Sequence, residues 1–285
     1  MSIQLVLSKQ NRDGGWPYVR GSSRTEPTVY AILASLAAGE LEPARRGLDW
    51  LRAAQLPDGG WPPQTGCDES TWVTALVALL PASRLGAPVH ARAIDWLLST
   101  SGEESSAGYR LRMWLLGAPQ LPDQEFPGWP WIPGSAAWVG PTALSILALQ
   151  KEMGRRPSAA IWRRIDQGRR FLLGRMCQGG GWNHGSVRAL GYEAAPYPET
   201  TGMALAALRG LHTRETEHAL VVAGRFLGEC RSADALNWLR IGLMAHGRLP
   251  DDYRPPVQLA CRTLPETSLD MLVAGSPKGT DFFWS

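Results

Sequence analysis

Gln10-Asn11-Arg12-Asp13-Gly14-Gly15-Trp16 and Gln55-Leu56-Pro57-Asp58-Gly59-Gly60-Trp61 are two copies of one turn, set 61 − 16 = 45 residues apart. A third copy is Cys177-Gln178-Gly179-Gly180-Gly181-Trp182, and a degenerate fourth is Phe126-Pro127-Gly128-Trp129-Pro130-Trp131. Self-similarity at such a period marks a repeat architecture, in which each unit buries its apolar face against its neighbours. The paired glycines allow a tight turn. The Gln amide suits stacking on the Trp ring and bonding to helix-end groups, and the Asp suits a helix N-terminus. All of these are structural duties, so Asp13, Asp58, Trp16 and Trp61 read as stabilising residues.

Each turn leads to a second signature: Glu26-Pro27-Thr28, Glu69-Ser70-Thr71, Glu199-Thr200-Thr201 and Glu266-Thr267-Ser268, with Gly140-Pro141-Thr142 at the matching place after Trp131. Small and aliphatic runs follow, such as Val29-Tyr30-Ala31-Ile32-Leu33-Ala34 and Gly202-Met203-Ala204-Leu205-Ala206-Ala207-Leu208. Runs that are apolar on nearly every side predict buried helices. Pro followed by Thr fits a helix start. Between them, residues 43–52, 89–98 and 162–176 place apolar side chains on one face and charges on another, which predicts amphipathic outer helices. No stretch alternates with the period of a strand. The expected fold is all-α: one domain over residues 1–285, an α/α toroid of about six helical hairpins with apolar inner and amphipathic outer helices. An open solenoid would leave its ends exposed.

Composition narrows the partners. Of the 285 residues 44% are hydrophobic, enough for a sizeable core, and the net charge is only +3 with no basic run, which argues against nucleic acid. Trp is over-used, 13 copies against 5 Phe. Its π face and N–H donor suit turn packing, sugar stacking and cation contacts alike. The cysteines, Cys67, Cys177, Cys230 and Cys261, are widely spaced and read as free thiols of a reducing compartment. The opening residues lack the basic start and cleavage site of a signal peptide, and no apolar run is long enough to span a bilayer. A cytoplasmic location is expected, with room for peripheral membrane contact.

The turns resemble the QW motif of squalene-hopene and oxidosqualene cyclases, in the wider group that includes class II terpene cyclases and protein prenyltransferase β subunits. With the helix-start signatures the resemblance covers nearly the whole chain, although full-length triterpene cyclases have two such domains. It implies an α/α barrel and protonation-initiated cyclisation of an isoprenoid or other apolar small molecule. In the cyclases the acid sits in an Asp-x-Asp-Asp-Thr motif, and the nearest match is Cys67-Asp68-Glu69-Ser70-Thr71. Glu69 then takes the donor's place, with Asp68 beside it, and Cys67 and Ser70 replace the flanking acids. The prenyltransferase zinc site implies an Asp two residues before a Cys. No cysteine here has one, so neither metal nor cofactor is expected.

Other acids compete. Glu26, Glu199 and Glu266 share the signature position with Glu69 and read as helix N-terminal devices, yet all would point toward one end of a toroid. Asp270 lies one turn after Glu266, and Asp234 opens a helix expected over Ala233 to Ala245. The expected aromatic lining, steadying cations in the family, is Tyr30, Trp72, Trp138 and Trp238. The long loop after Trp182 adds His184, Arg188 and Tyr192 as polar substrate contacts. Two alternatives stay open: a non-catalytic toroid that binds a lipid or protein, and a glycoside site, which would show paired carboxylates across a Trp-lined cleft.

Overall fold

The computed structural model describes residues 3–117, 126–185, 188–189, 192–255, 259–275 and 281–284. The turns act as rivets. Each Trp indole N–H donates to a carbonyl in the last turn of the preceding helix: Trp16 to Val6, Trp61 to Leu51, Trp129 to Leu97 and Trp182 to Leu172, at 2.6–2.9 Å. Each Trp backbone N–H donates to a threonine Oγ1 on the next helix: Thr28, Thr74, Thr142 and Thr201, at 2.9–3.0 Å. One residue thus fastens an outer helix to an inner one, and all four rings are fully buried.

The other turn residues act differently from expectation. Asp13 Oδ1 and Asp58 Oδ1 accept from Gly15 N and Gly60 N and from Ser23 and Ser70 hydroxyls, so they brace the turn itself instead of a helix N-terminus. Gln10 and Gln55 reach Pro43 O and Val89 O in the following outer helix, tying neighbouring repeats together. Gly14 and Gly59 have φ of 96° and 94°, and a Cβ there would lie 2.6 Å from Arg46 O and Arg92 O. Only glycine meets both demands.

The inner helices are α2 (Thr25–Ala37), α4 (Val73–Ala78), α8 (Val139–Arg155), α10 (Pro198–Ala207), α12 (Ala233–Ala245) and α13 (Leu264–Ala274). Residues Thr200–Ala207 of α10 are all buried, as expected for a run apolar all round. The larger amphipathic helices are α3 (Leu41–Ala54), α6 (Ala87–Ser99), α9 (Ala159–Gly174) and α11 (Arg214–Glu229). Shorter pieces are α1 (Ile3–Leu7), α5 (Ala82–Leu85), α7 (Ala107–Leu115), α14 (Asp281–Trp284) and a 3₁₀ turn at Glu103–Ser105. Two strand pairs, β1 (Trp129–Pro130) with β2 (Ala137–Trp138) and β3 (Arg188–Ala189) with β4 (Tyr192–Glu193), correct the strand-free expectation. At two residues each they are too short to alternate.

Each inner helix packs on the next in the order α2, α4, α8, α10, α12, α13, and α13 packs on α2. The tightest pair is α10 with α12, where a Cβ on Gly202 would meet the Trp238 backbone at 2.3 Å. A relay of backbone bonds follows the same order at one end. The residue two places after each turn Trp offers its carbonyl to the start of another repeat's helix. Thr25 N donates to Pro63 O, Trp72 N to Trp131 O, Val139 N to His184 O and Leu264 N to Tyr18 O, at 2.7–3.0 Å. Among the described residues no helix is long and apolar enough to cross a membrane, and all four cysteines are free.

Candidate active site

The relay fixes the register of the helix starts. Arg24 N donates to Trp16 O, and Thr71 N donates to Trp61 O in the same way. Thr71 therefore corresponds to Arg24, not Thr28, and the threonine equivalent to Thr28 is Thr74. The expected alignment of Glu69 with Glu26 is corrected by this: Trp72 and Val73 stand where Glu26 stands, while Glu69 and Asp68 precede the helix and are exposed. The spacing carries the signal, since Trp129 to Thr142 and Trp61 to Thr74 are both 13 residues.

Glu26 and Asp234 are each the second residue of their helix, as is Glu199 of α10, and Glu266 is the third of α13. All four are half-buried, and the three glutamates lie within electrostatic reach of Asp234. A helix N-terminus favours a charged carboxylate. Here two larger effects oppose it: loss of water, and the neighbouring acids. Burial, then Glu199, Glu26 and Glu266, push the Asp234 carboxyl from 3.8 up to about 7. Burial also raises Glu199, partly offset by His184. Burial raises Glu26 as well, and Glu199 adds to it, while the hydrogen bond from Tyr18 acts in the opposite direction. Tyr18 Oη donates that bond to Glu26 Oε2 at very short range. Beneath them Tyr30 is 4% exposed, and burial with these acids holds its phenol protonated.

The remaining helix starts carry aromatics. Trp72 meets Trp131 edge to face with centroids 4.8 Å apart. Trp138 neighbours the His184 ring, which in turn neighbours Tyr197 at 5.3 Å. Gly140, at the position of Glu26 on α8, leaves room beside Trp131. Following the order of helices, acids occupy α10, α12, α13 and α2, and aromatics occupy α4 and α8. A cleft of about 600 Å³ opens beside Glu199, lined by His184, Tyr197, Glu229, Arg231 and Ser232 among others.

The other expected residues fall elsewhere. Asp270 lies 3.8 Å from Arg240, which also reaches Asn237. Glu266, a member of the acid group above, also accepts from Arg262 N in the preceding loop. Trp238 is 2% exposed and packs on Phe283 of α14. Arg188 and Tyr192 lie in β3 and β4, and their side chains fall outside the described residues. Sequence reading missed Tyr18 and Trp131 as rim residues; their shared place, two residues after the turn Trp, is the signal that finds them. Among the described residues no group of three or more His, Cys, Asp or Glu is arranged to hold a metal.

No family model matches the chain. An MMP endo-(1,4)-3-O-methyl-alpha-D-mannosidase of Mycolicibacterium hassiacum is 41% identical over 65 residues, which is 22% of this chain and 18% of that enzyme. A GH8 endo-beta-1,4-glucanase from an Achatina fulica gut metagenomic library superposes with a TM-score of 0.57 at 15% identity, covering 95% of this chain and 96% of that one. The type II terpene cyclase MstE from Scytonema superposes with a TM-score of 0.55 at 14% identity, covering 97% of this chain and 78% of that one. At such identities the likeness is one of fold.

Proposed function

We propose that the inner helices close into one α/α toroid spanning the chain, and that its acidic mouth cleaves a glycosidic bond of an oligosaccharide. The observation that carries this reading is Asp234, a carboxyl protonated up to about pH 7 and surrounded by other acids. A general acid works best when its pKa lies near the working pH. Asp234 donates its proton to the glycosidic oxygen as the C–O bond to the sugar breaks. Glu26 is assigned as its partner: the Tyr18 hydroxyl favours the charged form, in opposition to the burial that raises its pKa. It activates water or attacks the sugar carbon directly, and net addition of water gives two hydroxyl ends. Trp72, Trp131 and Trp138 offer faces for sugar stacking. The stretch of 41% identity to a mannosidase and the fold shared with a glucanase support this reading.

A second reading, isoprenoid cyclisation, is favoured by the aromatic half of the mouth and the fold shared with MstE. Acid strength favours the first. Protonating an alkene demands a strong acid, and a carboxyl near 7 is a weak one, whereas that value suits a glycosidic oxygen. Tyr30, Met203 and Trp238, on three inner helices, are also only 4%, 5% and 2% exposed, which speaks against a wide apolar chamber between them. The test is reducing-end release from (1,4)-linked α-mannan and β-glucan oligosaccharides, beside conversion of polyprenyl substrates. Release by the wild type, lost in Asp234→Asn, supports hydrolysis. Conversion of the polyprenyl alone refutes it.

A further inference from the structure

A second cavity lies at the opposite end of the inner helices. Helix α4 has 6 residues, and α8, which packs on it, has 17. Leu80 precedes Pro81, a place where helical backbone is disfavoured. So α4 stops early, and the last turns of α8 run past it. The space left is about 740 Å³, lined by Leu80, Pro81, His90, Lys151, Glu152 and Trp284 among others. Roughly 18 Å of helix separates Lys151 from Val139 at the mouth end of α8.

The polar groups of this cavity are incomplete. The His90 side chain is only 4% exposed, and its Nε2 lies 3.0 Å from Ala78 O. A carbonyl only accepts, so Nε2 carries the proton. Burial lowers the His90 pKa, and the neutral ring presents a bare lone pair at Nδ1. That atom has no hydrogen-bond partner. Glu152 Oε2, 3.8 Å away, is itself an acceptor. A buried acceptor without a donor is costly, and a hydroxyl supplies what it lacks. The Trp284 indole N–H is likewise buried without a partner.

Charge is incomplete as well. Both Glu152 oxygens are taken by Arg155 and Arg156. Lys151 donates to a carbonyl, Phe282 O at 2.9 Å, which leaves two of its three N–H groups for another acceptor. Burial lowers the Lys151 pKa to about 8, and no acid among the described residues offsets it. Arg209 stands 4.9 Å from the Trp284 ring and adds to the positive field.

We propose that this cavity binds a small polyol bearing one anionic group, with the anion on Lys151 and a hydroxyl donating to His90 Nδ1. The test is calorimetric titration of the purified chain with glucose 6-phosphate, gluconate, glucose and inorganic phosphate. The wild type should bind one equivalent of glucose 6-phosphate or gluconate with a Kd below about 1 mM. Glucose and inorganic phosphate should each bind at least about tenfold more weakly. The preferred probe tells whether the anion is a phosphate or a carboxylate. Lys151→Met should weaken its binding about ten- to hundredfold. Gly154→Leu keeps Lys151 and fills the space from an exposed helical position where a Cβ meets nothing within 4 Å, so it should fold and still block the ligand. Melting temperatures without ligand are the control for folding. Binding of none of the four probes overturns the proposal. So does glucose or inorganic phosphate binding as tightly as the preferred probe, or full affinity in either variant.

Discussion

The two ends of the inner helices treat buried charge in opposite ways. At the C-terminal end of α8, the fully buried Glu152 carboxylate meets Arg155 at 2.7 Å and Arg156 at 2.8 Å, with His90 Nδ1 3.8 Å away. Burial alone would raise its pKa, yet the arginine hydrogen bonds carry it below the usual value. At the N-terminal end, Glu26, Glu199 and Asp234 face one another and their pKa values rise. One end spends its counter-ions on neutrality. The other withholds them and keeps protons instead. A charge buried with partners is an architectural element, whereas acids buried together are a proton store, and perturbed groups of the second kind gather at reactive sites.

The comparison breaks hardest at Asp234. Asp234→Asn keeps the shape and removes the proton, so hydrolysis should fall about a thousandfold while the melting temperature holds or rises. Glu152→Gln should do the reverse: activity persists, and urea denaturation shows a loss of about 1–3 kcal/mol, moderated because both arginines are partly exposed. Tyr18→Phe should lower kcat/KM about three- to tenfold by removing the donor that opposes the rise of the Glu26 pKa, and should shift the basic member of the pH–rate profile upward. The pH dependence of stability should also divide by end. Folded Asp234 holds its proton to about 7 against 3.8 when unfolded, so its contribution is complete below 3.8 and is lost as pH rises through 7. Glu152, with its pKa depressed from 4.5, contributes above 4.5 and loses that contribution on acidification. Melting curves across pH for the two variants should each lose one of these slopes. Smallest of all, Glu69→Gln should leave activity within about twofold of wild type, since an exposed carboxylate outside the cluster has little to lose.

Much of the fold is legible because it is local. The helix expected over Ala233 to Ala245 is α12, residue for residue, and the Gly-Gly-Trp turns mark the junctions that lead into α2, α4 and α10. The site is less legible because it is assembled by neighbours distant in sequence. Glu26, Glu199 and Glu266 read as repeated helix-start devices, and nothing within one repeat says that α10, α12, α13 and α2 sit side by side with their acids adjacent. Glu69 takes the donor's place through the match of Cys67-Asp68-Glu69-Ser70-Thr71 to the cyclase motif, and its alignment with Glu26 sets Thr71 on Thr28. The three-residue difference becomes evident only when backbone bonds identify Thr71 with Arg24. Helix α7 was missed because nine residues without a buried face leave no core pattern to read.

The bond from Leu264 N to Tyr18 O joins the last inner helix to the first turn. Tyr18 holds Glu26, so the electrostatics of the mouth depend on a helix synthesised after all the other inner helices described above. A nascent chain lacking α13 exposes the flank of α2 and leaves Tyr18 untethered. The arrangement of the mouth therefore arrives only with α13, and a chain that lacks that helix carries the acids of α2, α10 and α12 without their full setting.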